Sequence, residues 1–190
     1  MLEVRIIGLG GQGAVVGAEI LADAVFREGK WSQMIPQYGG VRRGSVVQGF
    51  VRIDEKMITL NTSINTPDII VVLDPKIQKN YPIAQGLKQG GMAILNSEQS
   101  PEEVDLGVKL SKISTIDATR ISREILGPQP IPITNTIMIG AFSKATGVVK
   151  LESLFPRIKE NFPGKTGDIN IAMVKAGYER CKVACLETPK

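Results

Sequence analysis

Histidine is missing altogether from the 190 residues. That excludes every site that leans on an imidazole: a serine–histidine–aspartate triad, a histidine zinc centre, a histidine general base. Cysteine is scarce, with Cys181 and Cys185 only, four residues apart near the C-terminal end. Two thiols cannot supply the ligands of a four-iron cluster and make no disulfide framework. In a helical terminal segment they would share a face, and small apolar packing residues are their plainer role. Aromatic residues make up 5% of the chain and the lysines and arginines are scattered. No basic helix and no basic–aromatic interleaving arises, so nucleic acid is not an expected partner. No run of about 18 apolar residues occurs, so no membrane span is expected. Glu3 and Arg5 interrupt the N-terminal apolar stretch, which ends in glycines rather than at a cleavage site. No secretory signal is expected, and the cytoplasm is the expected compartment.

What the chain does contain is 43% hydrophobic and 22% charged residues, a soluble globular composition for one domain spanning 1–190. The formal charge of +4 suits an acidic ligand or an acidic partner protein. The most telling stretch is Val4-Arg5-Ile6-Ile7-Gly8-Leu9-Gly10-Gly11-Gln12-Gly13. An apolar strand ends in Gly-x-Gly-x-x-Gly and passes at once into a helix whose Val15, Ala18, Ala22 and Val25 share a face. This is how an α/β fold offers backbone N–H groups to an anion. Gly8 suits the tight turn, Gly10 the close approach of a ligand, and Gly13 close helix–strand packing.

Further along, Trp31–Ile35 predicts a short strand closed by Pro36, and Ser45–Ile53 a strand with Val47, Val51 and Ile53 on one side. Asp54-Glu55-Lys56 predicts a turn and Met57–Leu60 a returning strand, a hairpin inserted in a mostly parallel sheet. Asp68–Asp74 is a buried strand, Pro75 starts a helix to about Lys88, and Gly91–Asn96 and Val108–Ile113 are further strands. Asp117 caps a helix through Leu126, ended by Gly127-Pro128. Helices then cover Asn135–Ala145, Leu151–Asn161 and Thr166 to the end. The expected fold is a single Rossmann-like α/β domain with C-terminal helices.

The glycine turn is not a P-loop, because Ala14 follows Gly13 where a lysine is required. For NAD, an acidic residue is needed at the end of the second strand. Glu28 belongs to the helix terminus, and Ile35-Pro36-Gln37-Tyr38 holds no carboxylate. Arg42 and Arg43 keep a 2′-phosphate, hence NADP, open. Flanked by Gly39, Gly40 and Gly44, they equally suit a phosphate, a carboxylate or a partner surface, or a salt-bridged turn at a subunit contact.

Four ordered stretches carry a resemblance. They are Gly8–Gly13 with Ala18-Glu19-Ile20-Leu21-Ala22; Tyr38-Gly39-Gly40-Val41-Arg42-Arg43-Gly44-Ser45 with Val51-Arg52-Ile53; Asn135-Thr136-Ile137-Met138-Ile139-Gly140-Ala141-Phe142; and Phe162-Pro163-Gly164-Lys165 with Asn170 and Gly177-Tyr178. Together the chain resembles the gamma component of the 2-oxoacid:ferredoxin oxidoreductases, the pyruvate:ferredoxin oxidoreductase (pyruvate synthase) type in particular. Gly40-Val41 departs from the proline–acidic pair that relatives often carry there. The resemblance implies a subunit of a cytoplasmic hetero-oligomer, inactive alone, alongside alpha, beta and ferredoxin-like delta subunits. The complex would convert a 2-oxoacid, coenzyme A and oxidised ferredoxin reversibly to acyl-CoA, carbon dioxide and reduced ferredoxin. Thiamine diphosphate, Mg2+ and [4Fe–4S] clusters are implied in the partner subunits, none in this chain, with coenzyme A as co-substrate. Gly10, Gly11 and Gln12 would contact the ligand or the loop, and Tyr38, Arg42 and Arg43 coenzyme A or the catalytic subunits. Asn135 would join them or cap its helix. A freestanding NADP-binding domain and a purely structural subunit are the competing readings.

Overall fold

Residues 1–37 and 45–186 are described in a computed structural model of the chain. β1 (Leu2–Leu9) divides its side chains between two cores, Val4 and Ile6 entering the larger and Ile7 the smaller. Glu3 and Arg5 interrupt its apolar run, yet the strand lies mid-sheet with cover on both faces, and the buried Arg5 guanidinium donates to Ile83 O at 2.5 Å. α1 (Ala14–Arg27) buries Ala18, Ala22 and Val25 in the larger core and ends at Glu28. β2 (Trp31–Gln37) and β3 (Val46–Asp54) are antiparallel, and β3 is antiparallel to β1. β4 (Ile69–Val72), β5 (Met92–Asn96) and β6 (Lys112–Ile116) add in parallel beyond β1, and β7 (Lys182–Cys185) closes antiparallel. The order is β2-β3-β1-β4-β5-β6-β7, so only β3 and β7 run against the rest, the mostly parallel sheet expected.

α2 (Pro75–Asn80) covers the smaller core through Ile77. α3 (Ala118–Leu126), α4 (Asn135–Thr146), α5 (Phe155–Asn161) and α6 (Lys165–Arg180) lie over the larger one with α1. Asp117 caps α3, accepting from Arg120 N at 2.8 Å, and Gly127 ends it. α4 is buried nearly all round because α6 lies across it almost backbone to backbone. A β-carbon on Gly140 would stand 2.0 Å from Val174 O, and one on Gly177 1.9 Å from Ile137 O. Thr136 Oγ1 donates to Asn170 Oδ1 (3.1 Å) across the same contact. The Asn–Gly pattern of these two helices is therefore a packing device.

Several expectations are corrected. Residues 57–60 form no strand; β3 is already paired on both edges, by β1 and β2, so the reversed partner of β3 comes from earlier in the chain. At its end Leu60 O accepts from Gln33 Nε2, and just beyond it Thr62 O accepts from Arg52. Arg52 is consequently sealed at 1% exposure, paired with Glu3 at 3.0 Å. β2 runs through Pro36 to Gln37, which an outer edge permits. The helix after Pro75 stops at Asn80, ahead of Pro82. β6 begins at Lys112, because Leu110 buries itself in the smaller core before the strand starts. α6 stops at Arg180, and the terminal segment turns into β7 against β6.

Candidate functional site

The chain reaches β2 and β3 on one side of β1 and β4 on the other, so its order reverses between β1 and β4. In open α/β sheets the crevice beyond the carboxyl ends of the strands at such a reversal is where ligands bind. The turn Gly8–Gly13 leaves β1 at that point. Gly11 (φ 98°) and Gly13 (φ 78°) occupy the left-handed region that side chains other than glycine resist. Gly13 is the N-cap of α1.

Gln12 does not face outward. At 2% exposure, its Oε1 accepts from Leu9 N (2.8 Å) and its Nε2 donates to Asp74 Oδ2 (2.5 Å). Asp74, beyond the end of β4, spends its other oxygen on Lys76 N (2.7 Å) and so caps α2. Gly10 N donates to Ser45 O (2.9 Å), and Gln12 N to Leu9 O (3.0 Å). Three of the turn's donors are thereby consumed internally. The N–H groups of Gly11 and Gly13 have no acceptor among the described residues, and the first N–H groups of α1 open beside them.

Asn135 completes the arrangement. It is 3% exposed and lies against Gly13, where an added β-carbon would fall 2.5 Å from its Nδ2. Gly13 thus makes close contact with a helix, not with a strand. Asn135 is not a cap: Thr134 is the N-cap of α4, and its Oγ1 donates to Leu73 O (3.0 Å). The N-termini of α1 and α4 therefore meet at the Gly13–Asn135 contact, and Asn135 Oδ1 is buried with no donor among the described residues. Ile131 also borders the turn, its Cδ1 3.5 Å from the place a Gly11 β-carbon would take.

Gly10, Gly11, Gln12 and Asn135 are thus brought together. Tyr38, Arg42 and Arg43 lie outside the described residues. The residues flanking them are placed: Gln37 pairs with Gln48, and Ser45 O holds Gly10 N, both at the glycine-turn end of the sheet. Sequence reasoning passed over Asp74, although Asp-Pro at the end of an apolar run is a helix-start signal. It also missed Ile131.

Chemically, the site offers donors and positive helix ends to an oxyanion. The carboxylate of Asp74, beside the turn, is committed to Gln12 and Lys76. Among the described residues no group of His, Cys, Asp and Glu could hold a metal, and no helix is long and apolar enough to cross a membrane. Clefts of about 790 and 380 Å3 lie further along, at the ends of β5 and β6, and neither is lined by the turn or by Asn135.

The chain matches the family model described as pyruvate ferredoxin/flavodoxin oxidoreductase over residues 3–180. It is 47% identical over 185 residues to the common subunit gamma of the pyruvate/ketoisovalerate oxidoreductases of Thermococcus litoralis, covering 96% of this chain and 98% of that one. Against pyruvate synthase subunit PorC of Methanothermobacter marburgensis the identity is 44% over 182 residues, with the same coverage of 96% and 98%. The crystal structure of the pyruvate oxidoreductase subunit PORC of Thermotoga maritima superposes with a TM-score of 0.80 at 32% identity, over 96% of this chain and 98% of that one.

Proposed function

The chain belongs to the pyruvate ferredoxin/flavodoxin oxidoreductase family, and from that premise we propose that it works as the gamma subunit of a 2-oxoacid:ferredoxin oxidoreductase of the pyruvate synthase type. The complex joins the acyl group of a 2-oxoacid to coenzyme A, releases carbon dioxide and passes the electrons to ferredoxin, reversibly. Alpha, beta and delta subunits carry the thiamine diphosphate, Mg2+ and iron–sulfur clusters. This chain binds no cofactor by itself and lends a wall to the coenzyme A region. Gly11, Gly13 and the first turn of α1 meet phosphate oxygens there, with Asn135 beside them. Gly10 and Gln12 hold the turn in shape, and Tyr38, Arg42 and Arg43 reach coenzyme A or the catalytic subunits.

The observation that carries the reading is end-to-end correspondence with gamma subunits, 96% of this chain against 98% of theirs. The local chemistry agrees with it: the turn offers backbone donors and helix ends, and the carboxylate described beside it, that of Asp74, is committed to Gln12 and Lys76, as suits a site that neighbouring subunits complete. The test is reconstitution with the other three subunits. The isolated chain should reduce no ferredoxin from a 2-oxoacid, and the complex should regain coenzyme-A-dependent turnover on its addition. Within that complex, replacing Arg42 and Arg43 by alanine should raise KM for coenzyme A about tenfold or more, since each removes a charge-assisted contact. Full turnover of a complex assembled without this chain would overturn the reading.

A further inference from the structure

Arg5 carries a charge that the described residues do not answer. It is 8% exposed, and an arginine in a protein does not give up its proton. Nη2 donates to Ile83 O, Nε is sealed without an acceptor, and Nη1, which is not sealed, has no acceptor among the described residues. The carboxylates along β1 and at the ends of β4 are spent: Glu3 on Arg52, Asp68 on Lys88, and Asp74 on Gln12 and Lys76. Burial pulls the guanidinium's pKa down, and of the described groups only Tyr81 pulls it back up. Residues 38–44, which follow β2, contain no aspartate or glutamate. Buried charges in native proteins are paired, because an unpaired one is costly.

Resting on the reading above for the existence of neighbouring subunits, we infer that the sheet face around Arg5 is a docking surface whose occupant is an aspartate or glutamate side chain of such a subunit. The register sets Phe50 beside Arg5 and Ile35 beside Phe50, with Ile7, Gln48 and Gln37 in the next row of the same face. Met34 and Val51 turn to the other face and enter the larger core with α1. On the Arg5 face a cavity of about 270 Å3 is bordered by Phe50, Ile35, Gln37 and Ile64, room for a side chain from outside. Tyr81, near enough to act on Arg5, accepts from Gln48 Nε2 at 3.3 Å, and its own hydroxyl proton has no acceptor among the described residues. Arg5 Nη1 and the Tyr81 hydroxyl are thus two unspent donors, and the two oxygens of one carboxylate take up both.

The test is the affinity of the full chain for a complex of the other three subunits, measured by calorimetry. Arg5→Met loses the charge, and assembly should weaken about tenfold or more, as when one partner of a buried charge pair is truncated. Arg5→Lys keeps the charge and should recover most of that loss. Tyr81→Phe removes the hydroxyl alone and should cost about threefold. Unchanged assembly of Arg5→Met, or equal losses with Arg5→Met and Arg5→Lys, would overturn the docking site. Should Arg5→Met not fold, Tyr81→Phe decides, and unchanged assembly of that variant overturns the site. Unchanged assembly with a raised KM for the 2-oxoacid would hand the arginine to a substrate carboxylate and overturn it as well. A wild-type chain that assembles beside indifferent variants strikes the docking site alone. A wild-type chain that joins no such complex removes the gamma-subunit reading, and the docking site with it.

Discussion

Gly11 and Gly13 at the turn differ from Gly140 and Gly177 at the α4–α6 crossing in what they lack a side chain for. The first pair needs a backbone conformation, with φ at 98° and 78°; Gly11 would meet a β-carbon with nothing closer than Ile131 at 3.5 Å. The second pair sits in ordinary helix and needs space, because backbone oxygens stand about 2 Å from where each β-carbon would be. A conformational requirement is local and is met within the turn itself. A spatial one binds two helices and belongs to the core. Glycine spacing in the sequence does not separate the two, and the structure does.

The crossing should break first and hardest. Gly177→Ala drives a β-carbon into Ile137 O at 1.9 Å, and a main-chain oxygen inside a helix cannot step aside as a side chain can. Overpacking commonly costs about 1–3 kcal/mol, and here about 3 kcal/mol or more is expected. At about 2–4 °C per kcal/mol for a chain of this size, Tm should fall by about 10 °C. Calorimetry or urea unfolding decides it, and an unchanged midpoint would mean that α4 and α6 do not cross this closely.

At the turn the losses should be smaller and separable. Gly11→Ala carries only the left-handed backbone cost, about 1–2 kcal/mol. Gly13→Ala adds contact with Asn135 Nδ2 at 2.5 Å, the far end of a side chain. Asn135→Ala should therefore relieve part of the Gly13→Ala defect and none of the Gly11→Ala defect. A coupling of about 1 kcal/mol is expected in the first double-mutant cycle and about zero in the second. Equal coupling in both cycles would refute the contact. Gln12→Ala belongs with this group: it strips a partner from Leu9 N and from Asp74, and an expected loss of about 1–3 kcal/mol should appear in urea unfolding of the chain alone, without ligand. If unfolding is untouched while only ligand binding suffers, Gln12 faces outward after all.

What could be read beforehand follows the range of the interactions. β4 and β5 were plain because Ile69–Val72 and residues 92–95 are uninterrupted apolar runs bounded by polar residues. The turn was plain because its glycines are adjacent. The reversed strand pairing was not, since the second neighbour of β3 is β1, tied by Leu2↔Ile53 through Leu9↔Val46, and no local pattern announces a partner so far away. Gln12 likewise takes its inward role from Asp74, 62 residues on. Asn135 was named from motif position, yet its place beside Gly13 rather than at a cap depends on how α4 enters over β4.

The C-terminal end offers the mildest test, and it rests on the same distinction between space and conformation. Helical spacing predicted one helix through both cysteines, but α6 ends at Arg180, Cys181 is its buried C-cap, and Cys185 stands exposed on β7. Burial pushes the Cys181 thiol up from 9.0 to about 11, against a smaller opposing pull from Lys144. At pH 8 a maleimide should label one thiol in the folded chain, Cys185, and both after unfolding; equal labelling in the native state would restore the continuous helix. The sign of the pH effect follows. Between about pH 9 and 11 the folded thiol keeps a proton that the unfolded one loses, so its contribution to stability is complete below pH 9 and falls as pH rises to 11. Cys181→Ala should flatten that decline in urea-unfolding midpoints across the window, while Cys185→Ala should leave it in place.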